Sequence, residues 1–114
     1  VEVQYNAING NTSASLVRDS SGNAVQAMTP STTANVSIGV SSNRVALPAG
    51  ADIVRLASNA KGYFAFGTST VTASGSDVMF PIGAELFVVP DGATHIAVIQ
   101  DGAVTGAMNI TKMV

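Results

Sequence analysis

From residue 34 onward, short apolar stretches return about every ten residues, with turn-forming residues between them. Val36, Ile38 and Val40 alternate with Ser37 and Gly39, the period of two that puts one face of a strand into a core. Ser41-Ser42-Asn43 turns the chain into Val45-Ala46-Leu47, which Pro48-Ala49-Gly50 stops. In 52–58, Val54 and Leu56 share one face and Ile53 and Arg55 the other. Asn59-Ala60-Lys61-Gly62 turns into Tyr63-Phe64-Ala65-Phe66-Gly67, where Phe64 and Phe66 share a face opposite Tyr63, Ala65 and Gly67. A polar, exposed loop is expected over 68–76. Short strands follow at 77–80 and 85–89, the second stopped by Pro90-Asp91-Gly92. Strands at 95–100 and 104–111 flank the tight turn Asp101-Gly102.

No segment carries helical periodicity over 10 or more residues. Roughly eight strands with this spacing predict an all-β domain, an antiparallel β-sandwich or a jelly-roll-like barrel. The expected core is Val36, Ile38, Leu47, Val54, Leu56, Phe64, Phe66, Leu86, Val88, Ile96, Val98 and Ile110.

Residues 1–33 read differently. Ala14–Arg18 and Ala24–Met28 flank Asp19-Ser20-Ser21-Gly22-Asn23, a hairpin signal. Thr29-Pro30-Ser31-Thr32-Thr33 then reads as a linker. The segment 1–33 is therefore an N-terminal hairpin, or an arm that packs on a neighbouring subunit, ahead of a sandwich over 34–114. With 114 residues the chain is one domain overall.

Composition narrows the function classes. Charged residues are only 11% of the chain, with 5 Lys+Arg against 7 Asp+Glu. A net charge of -2 argues against nucleic acid as a partner, because phosphates call for a basic face. No apolar run approaches the length of a membrane span, and the first residues lack the marks of a signal peptide. The absence of cysteine excludes disulfides and thiolate sites, and points to cytoplasmic synthesis or to stabilisation by partners. So few charges leave a surface of Ser, Thr, Asn and Gly, part of it covered by other chains.

Nothing in the motifs points to catalysis or to a cofactor. The one histidine, His95, begins a strand and reads as a rim residue. Asp19, Asp91 and Asp101 read as turn formers. Nucleophile-elbow, phosphate-loop and calcium-loop patterns are all missing. No enzyme activity, cofactor or metal is expected. Interface candidates are the aromatic and apolar residues Tyr5 and Ile8 in the arm and Tyr63 and Phe87 in the sandwich. Without a Trp platform, a carbohydrate-binding module using the 68–76 loop is the secondary reading.

The plan of residues 52–111 is an aliphatic strand, then Gly62-Tyr63-Phe64-Ala65-Phe66-Gly67, a Ser/Thr loop and Phe80-Pro81-Ile82-Gly83. Glu85-Leu86-Phe87-Val88-Val89-Pro90, His95-Ile96-Ala97-Val98-Ile99 and Asn109-Ile110-Thr111 complete it. It resembles small β-sandwich structural proteins of tailed-bacteriophage virions. The resemblance implies a capsid decoration (cement) protein on the capsid exterior, made in the bacterial cytoplasm. Its implied partners are the major capsid protein and its own copies, as a homo-oligomer with a trimer favoured. The same sandwich in a neck or tail component is the alternative. Deleting residues 1–12 is expected to leave the sandwich folded while weakening its binding to sister subunits or shell, as a pull-down with the truncated chain will show.

Overall fold

The computed structural model describes residues 28–114. They form eight strands: β1 Pro30–Ile38, β2 Asn43–Ala46, β3 Ile53–Ser58, β4 Gly62–Gly67, β5 Val78–Phe80, β6 Gly83–Val88, β7 His95–Gln100 and β8 Gly106–Met113. One four-stranded sheet has the order β1-β8-β3-β6 and the other β2-β7-β4-β5. Every pairing is antiparallel. The domain is an all-β sandwich.

The topology has a simple origin. β1 pairs with β8, β2 with β7, β3 with β6 and β4 with β5. Ile38 faces Gly106, Asn43 faces Val98, Ile53 faces Val88 and Gly62 faces Phe80. All four pairs are centred within the 68–77 loop, so the chain is one long hairpin rolled up on itself. Rolling adds the contacts β8–β3 and β4–β7 and closes two sheets face to face. This is the plan of an eight-stranded jelly roll.

The inner faces follow the period of two. Val36 and Ile38, Val54 and Leu56, and Met108 and Ile110 fill the core from the first sheet. Phe64, Phe80, Ile96 and Val98 fill it from the second. The Phe64 ring meets Phe66 at 5.5 Å, Phe80 at 6.2 Å and, across the sandwich, Phe87 at 5.1 Å. Gly62 is pinned beneath this cluster, since a Cβ there would run into the Ile99 carbonyl and the Phe80 ring.

Several expectations need correction. Leu86 and Val88 were expected in the core, but they are 42% and 73% exposed. Val54 faces Phe87 across the β3–β6 ladder, so Phe87 turns inward and its neighbours turn out. Leu47 and Phe66 are partly buried at the edge of the core rather than within it. Val40 lies past the end of β1 and is 79% exposed. Pro30–Thr33, expected in a linker, belongs to β1, with Pro30 facing Met113 and Thr33 facing Thr111.

The 68–77 loop keeps its polar side chains in solvent, while Ala73 is buried and Val71 half-buried. The Ala73 N–H donates to Ser42 Oγ at 2.8 Å, and the Arg44 guanidinium reaches the Val71 carbonyl at 3.5 Å. The loop thus lies against the outer face of the second sheet, at β2.

The aromatic cluster sets the expected stability effects. Phe64→Ala removes a ring touching three others and is expected to cost about 3–5 kcal/mol. Val40→Ala, past the end of β1, is expected to change stability by less than about 1 kcal/mol. Urea unfolding of the two variants measures the contrast.

Candidate functional site

The sandwich has two lateral margins, where β1 lies beside β2 and β5 beside β6. At the β1–β2 margin, Asn43 Nδ2 donates to the Ser37 carbonyl at 3.0 Å and the Gln100 N–H to the Gly39 carbonyl at 3.0 Å. Outside β1 lie the exposed polar residues Ser31, Thr32, Thr33, Asn35 and Ser37. This margin is polar and tied together.

The β5–β6 margin has the opposite character. Phe80-Pro81-Ile82-Gly83 carries the chain from the second sheet to the first, with Gly83 at φ 131°. Ser58 Oγ donates to the Pro81 carbonyl at 3.0 Å and anchors the crossing. Around it, Val78 and Met79 are 57% exposed, Ile82 66%, Leu86 42% and Val88 73%. Leu86 and Val88 stand on the outer face of the first sheet, Met79 on the outer face of the second, and Val78 at the open edge with the parity of Phe64, so these side chains fringe the margin on both sheets. Apolar side chains exposed along one margin make it the candidate interaction surface.

β6 is also a sheet edge. Among the described residues β3 is its only partner strand. The Val89 N–H donates to the Asp52 carbonyl at 2.8 Å, in register with the ladder. Hydrogen-bonded and open pairs alternate along an antiparallel ladder. The backbone groups of Glu85 and Phe87 are therefore spent on β3, and those of Ala84, Leu86 and Val88 point away from it. These three residues also carry their side chains on the outer face. Glu85 shares the inward parity of Phe87 but is exposed at the edge. A shallow groove of ≈ 300 Å³ runs here, lined by Arg55, Ala84, Glu85 and Leu86.

The interface candidates from the sequence fall in different places. Tyr63 stands half-buried on the outer face of β4, between Ile99 and Met79 across the ladders. Its hydroxyl meets Asp101 Oδ1 at 3.5 Å, and Lys61 Nζ lies 3.5 Å from the same carboxylate. Tyr63 therefore borders the apolar margin through Met79. Phe87 does not offer itself to a partner, because its half-buried ring packs on Phe64. Tyr5 and Ile8 lie outside the described residues. The sequence reading missed Val78, Met79 and Ile82 and put Leu86 and Val88 inside. Only the contiguity of apolar residues on both sides of Pro81 signals the patch.

The polar groups serve the turns. Asp77 Oδ2 accepts from the Ser74 N–H at 2.7 Å within the long loop. Asp91 sits in the turn that Gly92 completes at φ 82°, and Asp101 in the one completed by Gly102 at φ 75°. His95 Nδ1 lies 2.9 Å from its neighbour Thr94 Oγ1. A depression of ≈ 390 Å³ opens beside it, walled by Leu47–Asp52 and Ala93. Among the described residues no three of His, Cys, Asp and Glu converge as a metal site would require.

No protein-family model, curated protein or solved structure matches the chain. The margin's character has a direct test. Replacing Val78 and Ile82 together by Ser is expected to shorten retention on a phenyl column, with a stability change within about 1 kcal/mol because both side chains are exposed.

Proposed function

We propose that the chain is a non-enzymatic structural protein of a tailed-phage virion, a decoration (cement) protein that stabilises the head from outside. It is made in the bacterial cytoplasm and contacts its own copies and the major capsid protein. The observation that carries this reading is the β5–β6 margin, where Val78, Met79, Ile82, Leu86 and Val88 offer apolar surface to a partner. Two further features support it. Double-sheet jelly rolls recur among viral capsid domains, although they also serve lectins and cupins, so the architecture alone does not carry the function. A surface with few charges suits a protein shared between copies and a shell, where many weak contacts sum to a tight attachment.

The experiment is a comparison of particles with and without the chain. Purified virions of a phage encoding it are expected to contain it in hundreds of copies, by quantitative mass spectrometry. Heads lacking it are expected to release DNA at a lower temperature. Virions free of the chain, or heads equally stable without it, would refute the reading.

A further inference from the structure

We infer that two copies of this chain join along β6, edge to edge and antiparallel, about a two-fold axis at Leu86. The pairing joins the β1-β8-β3-β6 sheets of the two copies into one continuous eight-stranded sheet. It does not depend on the virion role: a protein that dimerises but never binds particles would refute that role and leave this pairing standing.

The backbone argument comes first. Among the described residues, the N–H and C=O groups of β6 that take no part in its ladder with β3 belong to Ala84, Leu86 and Val88. An edge with open groups and apolar side chains is a template for another strand. The other edges differ. β1 is polar along its outer face, β2 is short with the 68–77 loop tied to its Arg44, and β5 has three residues.

Self-complementarity then selects the occupant. With Leu86 opposite Leu86 of the second copy, Ala84 faces Val88 and Val88 faces Ala84. All three pairs exchange both of their backbone bonds, and the small side chain sits beside the large one. Glu85, the only charge on the strand, faces Phe87 of the other copy. Sliding the register one way sets Glu85 against Glu85, two like charges at close range. Sliding it the other way sets Ala84 against Pro90, which has no N–H to give. Only the Leu86-centred register avoids both faults.

The chain has no cysteine, so single-cysteine variants report the register cleanly. The central pair lies on the axis with Cα atoms about 5.5 Å apart, within reach of a disulfide. Light scattering of the full chain is expected to give the mass of two chains of 11.5 kDa. Under mild oxidation Leu86→Cys is expected to cross-link to itself. Ala84→Cys alone is expected not to, but a mixture of Ala84→Cys with Val88→Cys is expected to cross-link. Leu86→Lys, which leaves the ladder to β3 intact, is expected to give a folded monomer whose Ala84 and Val88 amides exchange rapidly. Four results would overturn the pairing: a three-chain mass; a dimer in which Leu86→Cys does not cross-link; a monomer with fast-exchanging β6 amides; or a monomer with protected ones, which would assign the edge to residues 1–27 of the same chain.

Discussion

The contact between Phe64 and Phe87, 5.1 Å between ring centres, joins the central part of one sheet to the edge of the other. The chain is rich in small residues, with 17 Ala and 15 Val but only 4 Phe. Small side chains cannot fill the ~10 Å between packed sheets by themselves. All four phenylalanines gather at Phe64 to do so. Each aromatic pair adds roughly 0.5–1.5 kcal/mol beyond the burial of its area. The close approach of Gly62 to Phe80 and to the Ile99 carbonyl belongs to the same arrangement. The cluster also fixes the register of β6. To reach Phe64, Phe87 must face in, and a strand has only two faces. Leu86 and Val88 are thereby turned to solvent, and the apolar margin is a consequence of how the core is filled.

The two margins divide the work of the domain. Where β1 passes to β2, side-chain and backbone hydrogen bonds tie the sheets together and the outer side is polar. Where β5 passes to β6, the strands are held by aromatic packing and a single serine on the Pro81 carbonyl. The long loop adds a third kind of surface, with exposed hydroxyls outside and Val71 and Ala73 turned towards the sheet. The exposed polar side chains therefore gather on β1 and the long loop, and the exposed apolar ones along the β5–β6 margin.

Most of the architecture was legible because alternation and turn chemistry are local. Val36 and Ile38, Val54 and Leu56, and Phe64 and Phe66 each announce a face, and Pro90-Asp91-Gly92 announces a turn. β6 was misread because Leu86-Phe87-Val88-Val89 is apolar without a break, so the period of two assigns no face. Its face is decided by Phe64, a residue 23 positions away along the chain. The candidate surface was illegible for the same reason. Leu86 and Val88 look like core residues but are turned out because Phe87 faces in, while Val78, Met79 and Ile82 are exposed because β5 and the crossing after it lie at the margin. Strand order is a property of the rolled hairpin, and no short window of sequence contains it. Tyr63 was singled out as an aromatic and does border the patch, but its neighbour Met79 brings it there only through the β4–β5 ladder.

The rolled hairpin also dictates the order in which the sheets can close. β8 lies in the interior of its sheet, between β1 and β3, yet it is the last strand of the chain. It supplies Met108 and Ile110 to the core. Until residues 106–113 dock, β1 has no neighbour among the described strands and β3 is bare on one side. Local pairing near the 68–77 loop can begin early, but the first sheet closes only after a contact between the two ends of the domain. Such long-range closure is slow, and the exposed strands are vulnerable to mispairing while they wait. The first sheet therefore closes late in folding, and until β8 docks, the edges of β1 and β3 stay open to wrong partners.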